Sequence, residues 1–156
     1  MSRGFTLIEL VVVTTIIVLL TALTLPNYRA GSQQLALQRS AYKLAQDLRR
    51  AQEMALSSQE FGGEVPAGYG IYLEEGASRY TLFAYIDGDQ REVEIINLEK
   101  KIKIGDLLPD SPLTIAFIPP DPSVAFYPDA VTASITVASK EAKTIQVNKA
   151  GLIAVE

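Results

Sequence analysis

Glu9 is the side chain in this sequence that most needs a chemical reason. It follows Phe5-Thr6-Leu7-Ile8 and leads into an apolar run that reaches Leu25. A carboxylate inside such a run is costly to desolvate, so a partner of opposite charge is the first explanation to seek. A solvated Glu at the edge of the run is the plainer one. Asp87, Asp89 and Glu92 offer hard oxygen ligands suited to calcium. The EF-hand spacing is absent, however, and a hairpin turn accounts for the same residues. Arg39, Lys43, Arg49 and Arg50 invite a DNA or lipid reading, but with Asp47 and Glu53 as acidic companions a solvated helix face is the simpler one. Glu74 and Glu75 read as a solvated turn.

Other chemistry is thinned out by what the chain lacks. Its 156 residues include no histidine and no cysteine. That removes the commonest general base, thiolate chemistry, disulfides and the usual zinc ligands. No phosphate loop or nucleophile elbow appears either. The expectation is a non-enzyme with no cofactor and no metal. A formal net charge of −4 gains little from counterion release, and Val155-Glu156 brings no basic tail. Nucleic acid is therefore an unlikely partner.

The elements that position Glu9 begin with the apolar segment itself. Leu7 to Leu25 is about 19 residues, roughly 28 Å as a helix, close to the thickness of a bilayer core. Pro26 removes an amide donor and is expected to kink or break that helix. A second helical pattern follows, with Leu37, Ala41, Leu44, Leu48, Ala51 and Ala55 on one stripe. Their four-and-three spacing predicts an amphipathic helix to about Ser57. Phe61-Gly62-Gly63 and Val65-Pro66 mark its end.

Period-two alternation takes over beyond residue 68. Strands are expected at Tyr69–Leu73, Tyr80–Ile86, Val93–Leu98, Ile102–Ile104, Leu113–Ile118, Val124–Tyr127, Ile135–Val137, Ile145–Val147 and Leu152–Val155. Asp87-Gly88-Asp89-Gln90 and Asn148-Lys149-Ala150-Gly151 read as hairpin turns. Pro119-Pro120-Asp121-Pro122 reads as an elbow. The expected fold is α+β: a long N-terminal helix, one half membrane-spanning and one half amphipathic, packed on antiparallel sheets. The boundaries expected are 1–4 leader, 5–30 transmembrane or filament helix, 31–58 amphipathic helix and 59–156 β-rich globular domain.

Gly4-Phe5-Thr6-Leu7-Ile8-Glu9-Leu10 resembles the type IV prepilin signature. Three softer features narrow the likeness. They are Leu44-Ala45-Gln46-Asp47-Leu48-Arg49-Arg50-Ala51-Gln52, Gly68-Tyr69-Gly70-Ile71-Tyr72 and Asn148-Lys149-Ala150-Gly151-Leu152-Ile153. Together they are similar to the GspH/FimT minor pseudopilins. The resemblance implies cleavage between Gly4 and Phe5 by a prepilin peptidase and N-methylation of Phe5. It implies an assembly role for Glu9, neutralising the Phe5 amine of a neighbouring subunit, and a helix kink at Pro26. The partners implied are that peptidase, other pilin or pseudopilin subunits and membrane lipid. The location implied is the inner (cytoplasmic) membrane, single-pass with the globular domain outside, and then a pilus or pseudopilus. The function implied is a structural subunit of a type II secretion pseudopilus or type IV pilus, with a tip adhesin or DNA-uptake subunit as the alternative.

Overall fold

The computed structural model describes residues 5–119 and 124–156, with the side chains of residues 23–30 left out of the description. Among the described residues, one helix, α1 (Leu7–Leu56), is followed by nine strands. They are β1 (Gly68–Leu73), β2 (Arg79–Ile86), β3 (Asp89–Asn97), β4 (Lys103–Leu108), β5 (Leu113–Phe117), β6 (Val124–Tyr127), β7 (Thr132–Ala138), β8 (Ala142–Asn148) and β9 (Ile153–Val155). The chain divides into two compact units, Met1–Leu35 and Ala36–Glu156.

Among the described residues no helix is long and apolar enough to cross a membrane. This overturns the membrane-spanning half of the expected fold, and with it the expected single-pass inner-membrane location. Within the described stretch from Leu7 to Ala22, Glu9, Thr14, Thr15 and Thr21 interrupt the apolar run. The backbone is helical through Pro26. The expected kink rests on side chains outside the described residues, as does the Gly4 side of the cleavage bond.

In the larger unit the amphipathic stripe is realised. Leu37, Ala41, Leu44, Leu48, Ala51 and Ala55 are all buried, in one cluster with residues of both sheets. Full burial of a Leu side chain contributes about 1.5–3 kcal/mol, against about 0–1 kcal/mol for an exposed ion pair. Packing therefore holds this helix down, and its surface charges decorate it. Asp47 departs from the expected polar face: it is only 9% exposed, and the Tyr80 hydroxyl donates to its Oδ2 at 2.5 Å. The helix stops short of the glycines. Ser58 takes a positive φ of 50°, and Gln59 N–H reaches back to Met54 O at 3.1 Å. That left-handed residue closes a Schellman-type cap.

The strands form a five-stranded sheet ordered β3-β2-β1-β5-β6 and a four-stranded sheet ordered β4-β7-β8-β9. All pairings are antiparallel. Both expected hairpin turns are present. Ile86 faces Asp89 across a two-residue turn in which Asp87 and Gly88 both have positive φ, the geometry that favours Asp-Gly. Gly151 N–H bonds to Asn148 O at 2.9 Å. Gly70 owes its identity to packing. A Cβ there would sit 2.4 Å from Ile115 O and 2.6 Å from the Phe83 ring. Pro120, Asp121 and Pro122 of the expected elbow lie outside the described residues.

Candidate functional site

The sequence points to the start of α1, and the residues there close on one another. Thr6 precedes the first helical residue. Its backbone N–H and its hydroxyl both donate to Glu9 Oε2, at 2.9 and 2.7 Å. Glu9 N–H in turn reaches Thr6 Oγ1 at 3.3 Å. This is a capping box: Thr6 caps the helix, and Glu9, three residues on, satisfies the amide that the cap leaves open. The Thr6 amide, and then its hydroxyl, hold the Glu9 carboxyl below the usual value. The negative charge also sits at the positive end of the helix dipole.

The Thr-x-x-Glu spacing, legible in the sequence, gives Glu9 a role as a cap beside those of ion-pair partner or solvated edge residue. The cap is compatible with either one, because both bonds from Thr6 fall on a single carboxylate oxygen.

The remaining polar side chains of the segment are also turned inward. Thr14 Oγ1 donates to Leu10 O and Val11 O, each at 3.0 Å, Thr15 Oγ1 to Val11 O at 2.7 Å and Thr21 Oγ1 to Ile17 O at 2.7 Å. What this helix shows to its surroundings is consequently hydrocarbon. Phe5 is 76% exposed and Leu7 80%, and Ile8, Leu10, Val11, Val12, Ile16, Ile17 and Leu20 are exposed as well. An uncovered apolar surface of this extent marks a site of association.

Among the other candidate groups, the three arginines have partners within the chain. Arg39 pairs with Glu99 at 3.7 Å and Arg50 with Glu94 at 2.9 Å. Arg49 donates to Ile153 O at 3.2 Å, tying the helix to the last strand. Asp87, Asp89 and Glu92 lie on the β2–β3 hairpin, and no group of acids able to hold a metal forms among the described residues. Glu74 and Glu75 stand on the exposed turn after β1.

Comparison with family models, with curated proteins and with solved structures returns no match.

Proposed function

We propose that this chain is a structural minor subunit of a type II secretion pseudopilus or type IV pilus-like filament. In this reading a prepilin peptidase cuts between Gly4 and Phe5, Phe5 is N-methylated, and the helix beginning at Leu7 packs against the same helix of neighbouring subunits. One observation carries the reading. The Phe5–Ala22 segment has hydrocarbon on its outside, while its only carboxylate and its threonines are satisfied within the helix. Burying it against other copies removes apolar surface from water while the threonine hydroxyls stay bonded, and leaves the Glu9 charge to be paired.

The free amine that cleavage creates at Phe5 is the one new charge this burial introduces. A neighbour's Glu9 supplies its counter-charge. The DNA-uptake alternative draws less support, because Arg39, Arg49 and Arg50 already have partners within the chain.

Mass spectrometry of the mature protein tests the processing step. The expected N-terminus is N-methyl-Phe5. A mature chain starting at Met1, or near Leu25, overturns it.

A further inference from the structure

The five-stranded sheet turns one face to the core, and its other face is not the polar one that a solvated sheet usually shows. Ile71 and Leu73 flank Tyr72, Tyr80 and Leu82 flank Thr81, Leu113 and Ile115 flank Thr114, and all six flanking residues belong to the buried cluster. Ile96 and Phe126, next to Ile95 and Tyr127, belong to it too. Alternation along the strands therefore puts Ile95, Thr81, Tyr72, Thr114 and Tyr127 together on the outer face. Register lines them up: Ile95 faces Thr81, Thr81 faces Tyr72, Tyr72 faces Thr114, and Thr114 faces Tyr127. This row crosses all five strands, with large side chains alternating with threonines. Ile95 is 42% exposed and Tyr127 57%, Tyr72 is half-buried, and Thr114 lies low between the two tyrosines. In the adjoining row Phe83 is buried over Gly70, outside the core cluster.

No side chain of the row is charged. Charges stand only at its margins, at Glu74, Arg79, Glu92 and Asp129, the last of which pairs with Lys149 at 3.7 Å. Three of these four are acidic, which disfavours a polyanion. Size narrows the choice further. Neighbouring strands are ~4.8 Å apart, so the row is roughly 19 Å long and Tyr72 stands roughly 10 Å from Tyr127. With one row to either side the face covers on the order of 250 Å², well under the ~800 Å² that each partner gives to a standard protein interface. The face suits a narrow, neutral, chain-like ligand better than a folded partner.

We propose that this row binds a neutral polysaccharide, an extended β-1,4-linked chain of pyranose sugars. Each such sugar has a C–H face that stacks on an aromatic ring and a rim of hydroxyls, matching tyrosines that are apolar along the ring and polar at the tip. Two sugar units of the extended chain span about the Tyr72–Tyr127 distance. Successive units turn over, so units two apart present equivalent faces to the two rings. Each strand is rotated by ~20–25° against the next, so the row is twisted and fits a single chain better than a flat crystalline surface. This goes beyond the filament reading and does not rest on it, since the N-terminal helix takes no part.

The test is calorimetric titration of the full-length chain with cellohexaose and with chitohexaose, which share the linkage and differ in the sugar. Isomaltohexaose, linked α-1,6, is the control. At least one β-1,4 hexamer is expected to bind, with a Kd that does not change between low and high salt, because no ion pair is formed. Tyr127→Ala should weaken binding by about fivefold, the size of one ring contact, while Tyr127→Phe keeps most of it. Thr81→Lys, which keeps every ring but sets a long charged side chain between Ile95 and Tyr72, should weaken it as well. Tyr42→Ala, at an exposed tyrosine of α1, should leave it unchanged. The proposal is overturned by failure of both β-1,4 hexamers to bind, by equal binding of isomaltohexaose, or by loss of binding in high salt. It is equally overturned if Tyr127→Ala, folded by circular dichroism, and Thr81→Lys both bind as the parent does. Crosslinking of a Tyr127→Cys chain to another subunit in filaments would make this face a protein interface and overturn it too; the chain has no native cysteine to confuse that result. Failure of the titration alone leaves the filament reading standing.

Discussion

At Glu9 a single carboxylate is asked to start a helix and to meet a neighbour's amine, and substitution can separate the two. Glutamine still completes a capping box but carries no charge. Glu9→Gln is expected to keep the helix start and normal cleavage at Gly4–Phe5, yet to fall by about tenfold or more in sheared filaments, because a buried amine is left unpaired. Glu9→Leu should lose both the cap and the pair. Equal recovery of the Gln variant and the parent would remove the pairing role and leave Glu9 as a cap alone. The pH dependence has a definite sign. The folded carboxyl is held below its usual value by Thr6. Its contribution to the helix start is therefore complete above the ordinary glutamate pKa of ~4.3 and fades as pH falls below it.

Between helix and sheet, the Tyr80–Asp47 bond joins two elements through buried polar groups. Tyr80→Phe leaves the Asp47 carboxylate without this donor, at an expected cost of about 1–3 kcal/mol in urea unfolding. Burial, then the Asp47 bond and the charges of Asp47 and Glu94, push the Tyr80 hydroxyl pKa far up. A raised folded pKa means that stability from this group is full below the unfolded tyrosine value of ~10 and is lost as pH rises above it. The parent should therefore lose stability faster than Tyr80→Phe above about pH 10. Equal alkaline limbs in the two proteins would show that Tyr80 does not titrate on unfolding. This pair also shows what the sequence hides. The helix stripe and the strands were legible because their periods, 3.6 and 2, are local. Asp47 read as a surface residue, since periodicity cannot see a tyrosine 33 positions away. Likewise, the hairpin turns announce themselves in Asp-Gly and Asn-Lys-Ala-Gly. Nothing local says that β1 pairs with β5, or that β4 leaves the first sheet to join β7. The apolar run misled in the other direction: its composition resembled a membrane span, while Glu9, Thr14, Thr15 and Thr21 interrupt it and no helix among the described residues qualifies as one.

For the whole molecule, the division between Met1–Leu35 and Ala36–Glu156 separates two kinds of stability. The larger unit contains the entire buried hydrophobic cluster, from Leu37 to Ile153. The smaller one exposes the large hydrophobic side chains described in it, from Phe5 to Leu20 and at Leu35. A fragment beginning at Gln33 therefore keeps every residue of the core and loses only surface that needs other molecules to cover it. It is expected to fold with mixed helix and strand circular dichroism, to unfold in a single cooperative transition, and to sediment as a monomer at physiological salt. Exposed ion pairs on its surface, worth about 0–1 kcal/mol each, cannot offset the loss of translational freedom on association. Two outcomes would count against this separation. A fragment without strand signal would place part of the fold's stability in the N-terminal helix. A fragment forming stable multimers at physiological salt would show that the larger unit carries an assembly surface of its own.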